Sequence, residues 1–486
     1  MTIDYVETRL ESSDFPCDDV QVHKLRGTET IGQLFRFELT VACTLVTGIP
    51  VEQMIGARAT IVFSRVGGDE VRRIHGMICE VEERFDMQGD AHGYELVFVP
   101  RAHRLSLVAV QAVYLDLSVP EIIAQKLEAV GLTAEDYDMR LLGTYPKREF
   151  VVQYKETDLA FVSRLAEHVG ISFTFDHGEG HDRIVWSDDQ AGFPHLGEAL
   201  LRKTGDQKDI FRFAGRTKVI PASYAVHDYN YRTPQVDLTD GTNFELPHAD
   251  CQGGVVEYGG HFKTTDDGKA LAKIRAEERQ AKRLVYSARS DLPQLAAGAR
   301  FHLDGPIDLP SRELLITHIE HRATQTVVAV GGASEPHYQN DFRAVPGEQT
   351  YRPPRATACP KIYGVLNAVV EHAIEDGVER IAKIDDQGRY TVRFLFDVEE
   401  RAGPRSRWTR WIQPHVGTNY GIHFPLKPGM EVLMTFVDGD PDRPLIVGGV
   451  YRPDTPSPVR EAEGLNNPRI NKIKTESGVI IEIFDF

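Results

Sequence analysis

Residues 385–451 constrain the fold more than any other stretch. The cluster Asp385-Asp386-Gln387-Gly388-Arg389 is rich in turn formers, and after it Tyr390, Val392, Phe394 and Phe396 alternate with Thr391, Arg393 and Leu395. A period of two sends every second side chain to one face, the pattern of a half-buried strand. Trp408 and Trp411 follow within Arg407-Trp408-Thr409-Arg410-Trp411-Ile412-Gln413-Pro414, read as the next strand. Glu431 to Val437 reads as a third, ending in Asp438-Gly439-Asp440-Pro441-Asp442-Arg443-Pro444, and Leu445 to Tyr451 as a fourth. Short strands punctuated by Gly, Pro and Asp predict a small closed barrel, with the five-stranded OB-fold as the leading candidate. Trp408 and Trp411 stand three apart, so on a strand they point to opposite faces. One is expected in the core and the other against a neighbouring chain or domain.

Composition narrows the class. A chain of 486 residues, 41% hydrophobic and 26% charged, is ordinary for a globular protein of two to four domains. No run of eighteen apolar residues occurs, which argues against a membrane helix. Met1-Thr2-Ile3-Asp4-Tyr5-Val6-Glu7 has neither the basic head nor the apolar core of a signal peptide, so export is expected to depend on another machine. The five cysteines, Cys17, Cys43, Cys79, Cys251 and Cys359, are scattered and form no CxxC pair, so they read as reduced thiols rather than disulfides or zinc ligands. A formal net charge of −17 opposes a nucleic-acid or anionic-membrane partner.

Along the chain, Asp19–His23, Phe35–Leu39, Ala59–Phe63, Ile74–Ile78 and Tyr94–Val99 read as strands of a barrel or sandwich. Ser118-Val119-Pro120-Glu121 is a capping box opening a helix that Gly131 stops. A second helix starts near Thr157-Asp158, carries Phe161, Val162, Leu165 and Val169 on one face, and stops at Gly170. Strands flank it at Phe150–Tyr154 and Ile171–Phe175. A third helix is expected from Lys269 to Val285, with Leu271, Ile274, Ala281 and Val285 on one face, followed by strands at Gly298–Leu303 and Leu314–Ile319. Pro346, Pro353, Pro354 and Pro360, with Pro336 ahead of them, mark a stiff linker, and Pro453, Pro456 and Pro458 mark another. The tail from Asn466 to Phe486 contains Ile470, Ile473, Val479, Ile480, Ile481, Ile483 and Phe484. Thr475 to Phe484 reads as one strand, too short and too apolar to fold alone.

Three clusters invite chemical readings. Asp176-His177-Gly178-Glu179-Gly180-His181-Asp182 gathers metal-type side chains, yet the spacing is not His-Glu-x-x-His and its two glycines suit a solvated hairpin loop. Asp438, Asp440 and Asp442 imitate the start of a calcium loop, but Arg443 and Gly449 stand where an EF-hand needs Gly and Glu, so a rigid turn is expected, pinned by a charge pair of Arg443. Arg401, Arg405, Arg407 and Arg410 surround the tryptophans, as in single-strand binders. Against that, residues 385–455 hold nine Lys/Arg and ten Asp/Glu. Gly-x-Ser-x-Gly and Walker-type loops are absent. No catalytic residue, cofactor or metal is expected.

Gly388-Arg389, the Trp-rich strand, Gly429-Met430-Glu431-Val432, and Gly439-Asp440-Pro441-Asp442-Arg443-Pro444 followed by Gly449-Val450-Tyr451 together resemble the OB domain of VgrG, the trimeric spike of type VI secretion systems. Leu25-Arg26-Gly27-Thr28-Glu29, Ile74-His75-Gly76, Gln153–Asp158 and His227–Pro234 resemble its hub. One departure is Phe394-Leu395-Phe396-Asp397-Val398, where the family usually reads Phe-x-Trp-Asp-Arg. The resemblance implies a mainly β protein with an α+β insertion: two hub β-barrels at 1–345 with the insertion near 105–205, a Pro-rich linker and connecting strand at 346–380, an OB-fold barrel at 381–455, and the start of a trimeric β-prism needle at 466–486. It also implies a homotrimer capping the Hcp tube ring, with baseplate contacts and a PAAR-type tip protein or effector beyond the needle. Such a spike is cytoplasmic before firing, is exported without a signal peptide into the extracellular space or a target cell, and meets the target membrane only during puncture. The trimer interface is expected to use Trp408, Trp411, Ile473, Val479, Ile481, Ile483 and Phe484. Because the sequence stops at Phe486, where a prism should begin, a shortened chain or a needle completed by another polypeptide is expected. The alternative is the hub-spike of a phage tail or extracellular contractile injection particle. A cell-wall hydrolase spike is the third reading, disfavoured because only residues 452–465 separate the barrel from the tail.

Overall fold

The computed structural model describes residues 5–459 and 470–484, apart from 46, 66–68, 85–91, 203–208, 237, 239–242, 246–250, 328–336, 372, 376–377, 383 and 399–404. Two compact units interleave along the chain: Met1–Val108, Val119–Tyr145 and Thr157–Ala358 make the first, and Ala109–Ser118, Pro146–Glu156 and Cys359–Phe486 the second.

The chain opens with β1 (Val6–Glu11), β2 (Val20–Thr30), β3 (Arg36–Cys43), the one-turn helix α1 (Val51–Met54), β4 (Arg58–Arg65), β5 (Glu70–Arg84) and β6 (His92–Val99). Next come β7 (Ala109–Tyr114), α2 (Val119–Ala129), β8 (Tyr137–Arg140), β9 (Val151–Thr157), α3 (Asp158–Val169), β10 (Ser172–Asp176) and β11 (Arg183–Ser187). Then follow β12 (His195–Leu200), β13 (Ile210–Thr217), β14 (Ser223–His227), β15 (Asn243–Glu245), β16 (Gly254–Tyr258), α4 (Thr265–Gln280), β17 (Leu284–Ser290), β18 (Arg300–Asp304), β19 (Glu313–Thr324) and β20 (His337–Pro346).

In the first unit one large sheet runs β1-β4-β5-β6-β3-β2-β19-β20-β17-β13, with β12 and β18 branching from β19. The expected pair of barrels takes the form of two cores along this sheet. One gathers around Phe37, Phe63 and Phe98, the other around Tyr286, Phe301 and Phe342. Alternation sets the inner face: along β3, Phe37, Leu39 and Val41 are buried while Arg36 and Glu38 are exposed. The helices end as their sequences dictate. Thr157 accepts from the Ala160 amide to cap α3, and Gly170 closes it with a left-handed φ of 76°.

The third helix differs from the sequence reading. Thr264 accepts from the Asp267 amide, so α4 starts at Thr265 and ends at Gln280. Val285, expected on the helix, lies on β17, where Tyr286 and Ala288 alternate into the core. The Pro-rich stretch that follows β20 does not run free either. Tyr351 is buried beside Leu315 and Val345. Arg352 donates to Glu277 at 2.8 Å and to the carbonyls of Gly170 and Asp188 at 3.1 and 2.6 Å. Arg355 forks onto Glu257 at 2.6 and 2.8 Å, and Thr357 hydrogen-bonds Glu167 through both amide and hydroxyl.

The second unit adds β21 (Leu366–Val370), β22 (Ala373–Glu375), β23 (Val378–Ile381), β24 (Val392–Phe394), β25 (Val416–Gly417), β26 (Tyr420–Gly421), β27 (Glu431–Phe436), β28 (Pro444–Gly449), β29 (Ile470–Lys474) and β30 (Ile480–Phe484). Its main sheet is ordered β24-β21-β27-β28. The core packs Tyr390, Val392 and Phe394 with Val432, Met434 and Ile446, matching the predicted alternation. Phe150, Val152 and Val113 join that same core. Residues 109–118 and 146–156, expected inside the α+β insertion, therefore belong with the OB barrel, where β7 pairs β9.

Candidate functional site

The Asp438–Pro444 turn holds the second of those stretches, residues 146–156. Asp438 and Gly439 adopt left-handed φ values of 54° and 69°, which sharpen the turn after β27. Asp440 accepts from the Asp442 amide at 3.0 Å, and Arg443 approaches Asp440 at 3.8 Å. Asp442 is buried, accepting the Val152 amide at 2.7 Å and the Arg148 guanidinium at 3.0 Å. Its carboxylate is thus occupied by protein donors in a rigid turn.

The Asp176–Asp182 cluster is the loop between β10 and β11, as its glycines suggest, but not every side chain is solvated. Asp182 is buried and takes both the Arg101 amide at 2.6 Å and its guanidinium. His177 accepts the His75 amide at 3.1 Å and packs its ring on Phe35. Burial, with Arg72 nearby, lowers the His177 pKa to about 3. Of the arginines near the tryptophans, Arg401 lies outside the described residues. Arg407 stacks over Phe150 at 5.8 Å, and the Arg405 amide donates to Glu371 at 2.8 Å.

The strand expected to carry both tryptophans is reduced to single bridges, Thr409 to Tyr390 and Trp411 to Ile446. Thr409 is buried and both tryptophans are half-buried, with Trp411, two residues on from Thr409, packed against the core and Trp408 not part of it. Trp411 sets its ring edge-on to Tyr390 at 6.0 Å and to His423 at 5.8 Å against the barrel core.

The tail is a hairpin rather than one strand. Residues 475–478 form a turn, closed by Gly478 at φ 92° and by the Val479 amide donating to Thr475 Oγ1 at 3.0 Å. β29 and β30 pair Ile470 with Phe484, Lys472 with Glu482 and Ile473 with Ile481. Residues directly opposite share a face. One face therefore carries the Lys472–Glu482 ion pair, at 2.8 Å, between Ile470, Ile480 and Phe484. The other carries Ile473, Ile481, Ile483 and Asn471. Ile473, Val479, Ile480, Ile481, Ile483 and Phe484 are all between 45 and 60% exposed. Residues 466–469, Asp485 and Phe486 lie outside the described residues. Lys427 reaches Glu476 in the turn at 2.7 Å.

Sequence reasoning missed a second apolar surface in this unit. Around the small hairpin of β25 and β26, Val416, Tyr420, Ile422 and Phe424 are exposed. Its signal is Gly417-Thr418-Asn419-Tyr420-Gly421, in which Asn419 takes φ 62°. Contiguous apolar exposure of this kind marks a surface meant to be covered.

A family model described as the phage tail baseplate hub (GPD) matches residues 28–327, and one described as the type VI secretion system/phage-baseplate injector OB domain matches residues 378–451. The chain belongs to the phage tail baseplate hub family. Within that class its similarity runs to VgrG spike proteins. It is 29% identical over 465 residues to the type VI secretion system spike protein VgrG1a of Pseudomonas aeruginosa, covering 93% of this chain and 71% of that one. It is 31% identical over 468 residues to VgrG4b of the same organism, covering 90% of this chain and 55% of the other. A solved structure of the E. coli c3393 protein, described as a type VI secretion component structurally similar to T4 tail proteins gp27 and gp5, shares the fold with a TM-score of 0.66 at 24% identity, over 91% of this chain and 99% of that chain.

Proposed function

We propose that this chain is the spike subunit of a contractile injection machine of the type VI kind, acting as a homotrimer that caps the Hcp tube ring, contacts the baseplate and carries a tip protein or effector beyond its needle. The observation that carries this reading is the tail hairpin, whose large apolar side chains are about half exposed on both faces within a chain of this family. Burying the exposed half of each such side chain against two other copies is worth about 1 kcal/mol. Summed over three chains, that burial works against the mutual repulsion of subunits each carrying −17. The uncharged face of Ile473, Ile481 and Ile483 suits the trimer axis, while the Lys472–Glu482 pair suits the outside. The subunit is cytoplasmic before firing, leaves the cell through the machine itself and meets a membrane only during puncture. Its work is mechanical, so purified chain is expected to leave peptidoglycan intact.

Light scattering on the intact chain and on one ending at Tyr451 tests the assembly. A mass near three times 54.5 kDa for the intact chain supports it, and a monomer at low micromolar concentration overturns it. The family also includes phage hubs, which gives a second reading: the hub-spike of a phage tail or a free contractile particle. Recovery of the chain on a free particle, without a membrane-anchored complex, would select that one.

A further inference from the structure

The outward face of the first unit's sheet carries its charge unevenly. Strands β3, β2, β19, β20, β17 and β13 are consecutive neighbours. Register lines their outward side chains in rows, one passing from Glu38 through Arg26 to Arg322 and another from Arg36 through Glu320 and Asp341 to Arg289. Toward β2 the face shows Lys24, Arg26, Arg36 and Arg322 against Glu38 and Glu320. Toward β17 it shows Arg212, Arg216, Arg289 and Arg343 against Asp341. Eight bases thus face three acids on a chain whose net charge is −17. At β5 and β6 the same face turns acidic, with Glu80, Glu82 and Glu95 around Arg84.

Part of this charge is satisfied within the fold, as where Arg289 holds Asp341 at 2.8 Å, and part is not. Arg26 and Arg322 stand directly opposite each other on β2 and β19, a like-charge pairing that weakens a sheet. Arg36 leans on Glu38 at 3.3 Å and Arg322 on Glu320 at 3.0 Å. Arg26, Arg216 and Arg343 have no ion-pair partner among the described residues. These three line two shallow concavities of about 420 Å³ each, one holding Arg26 with Arg36 and Arg322, the other Arg216 with Arg343.

We propose that this face docks an acidic protein surface, with carboxylates seated beside Arg26 and between Arg216 and Arg343. Arg26 is level with Gln339 on β20, four residues from Arg343, so at about 4.8 Å per strand and 3.3 Å per residue the two seats lie roughly 20–25 Å from each other, a span that one helix or strand pair can cover. A continuous phosphate chain fits less well, because Glu38, Glu320 and Asp341 interrupt the basic face and would repel it. Discrete carboxylates can be placed between those acids.

The test measures the binding of a fluorescent oligoglutamate peptide, and of an oligothymidylate of equal charge, to the full chain at low salt. Saturable peptide binding is expected, weakened roughly tenfold or more by high salt and by the triple variant Arg26→Glu/Arg216→Glu/Arg343→Glu. Arg183→Glu, on the β10–β11 hairpin, should leave it unchanged. Because the three arginines hold no ion pair, the variant should keep the wild-type melting temperature. If it does not fold, the triple Arg→Gln variant carries the test, with a smaller loss expected. Absent binding, unchanged binding in the variant, or tighter binding of the oligothymidylate overturns the proposal. So does a low-salt rise in mass that the variant abolishes, which would give the face to a second copy of the chain.

Discussion

At the scale of single residues, the core of the first unit is most sensitive where backbone and ring meet. A Cβ at Gly27 would fall inside the ring of Phe37 on the neighbouring strand. Gly27→Ala is therefore expected to cost about 1–3 kcal/mol in a thermal melt, and Phe37→Leu in the same chain should recover part of that loss. Close by, Arg72 donates to Glu29 at 2.8 Å, and His321 lies 2.8 Å from the same carboxylate. A carboxylate only accepts, so His321 holds its proton on Nε2 and its Nδ1 accepts from the Tyr338 hydroxyl at 2.7 Å. Asn340 completes the chain, donating to Tyr338 at 3.2 Å. Burial lowers the pKa of His321, with Glu29 opposing, and lowers that of His177 to about 3. Both rings are held neutral, so the unfolded chain binds protons first as pH falls. Their contribution is whole above about 6.5 and is lost as pH falls, that of His177 toward about 3. For Glu29, burial pushes the pKa up, but Arg72 and His321 outweigh it and hold it low, adding to the acid loss. The urea midpoint should fall between pH 7 and pH 5, and His177→Phe should flatten that slope; an equal midpoint at both pH values would reject the neutral assignment.

At the scale of elements, the two anchors that fix loose stretches make separate predictions. Arg352→Ala removes a donor to one carboxylate and two carbonyls. Limited proteolysis should then cut within residues 346–360 much faster than in the wild type. Asp442→Ala strands the Val152 amide and the Arg148 guanidinium in the barrel core, at a cost of about 2–4 kcal/mol. Asp442→Asn, which can still accept from Val152, should recover part of it. These anchors also show where legibility ended. The Tyr390–Phe394 strand, the caps of α3 and the β10–β11 loop follow from local rules of period, capping and turn chemistry, and were readable. The partner of Asp442 is 290 positions away, and nothing in a turn sequence says which distant amide it will hold. For the tryptophans, the spacing was right that one packs on the core, but it did not reveal that the strand shrinks to single bridges with Thr409 fully buried. The tail misled because five apolar side chains in Val479–Phe484 masked the turn at Glu476-Ser477-Gly478.

At the scale of the whole molecule, assembly is expected to rest on apolar contact working against charge. Ile481→Lys, on the uncharged face of the hairpin, should lower the mass in solution to that of a monomer while leaving the far-ultraviolet spectrum unchanged. Added salt should strengthen the wild-type assembly against dilution, since screening weakens the mutual repulsion of chains at −17 while leaving apolar burial intact. Weakening by salt would instead place ion pairs at the interface. The interleaving of the two units carries a further consequence, for inheritance. The OB barrel's core is encoded in three separated stretches, because Val113, Phe150 and Val152 arrive from 109–118 and 146–156. A recombination joining a foreign gene after residue 358 would deliver a barrel missing the side chains that fill it, whereas a crossover in 452–465 would carry over a new tail and leave that core whole. Chimaeras joined at these two places should differ accordingly, the first collecting in inclusion bodies and the second melting as one cooperative protein. Lineages of such chains should therefore be free to trade their ends but not their barrels.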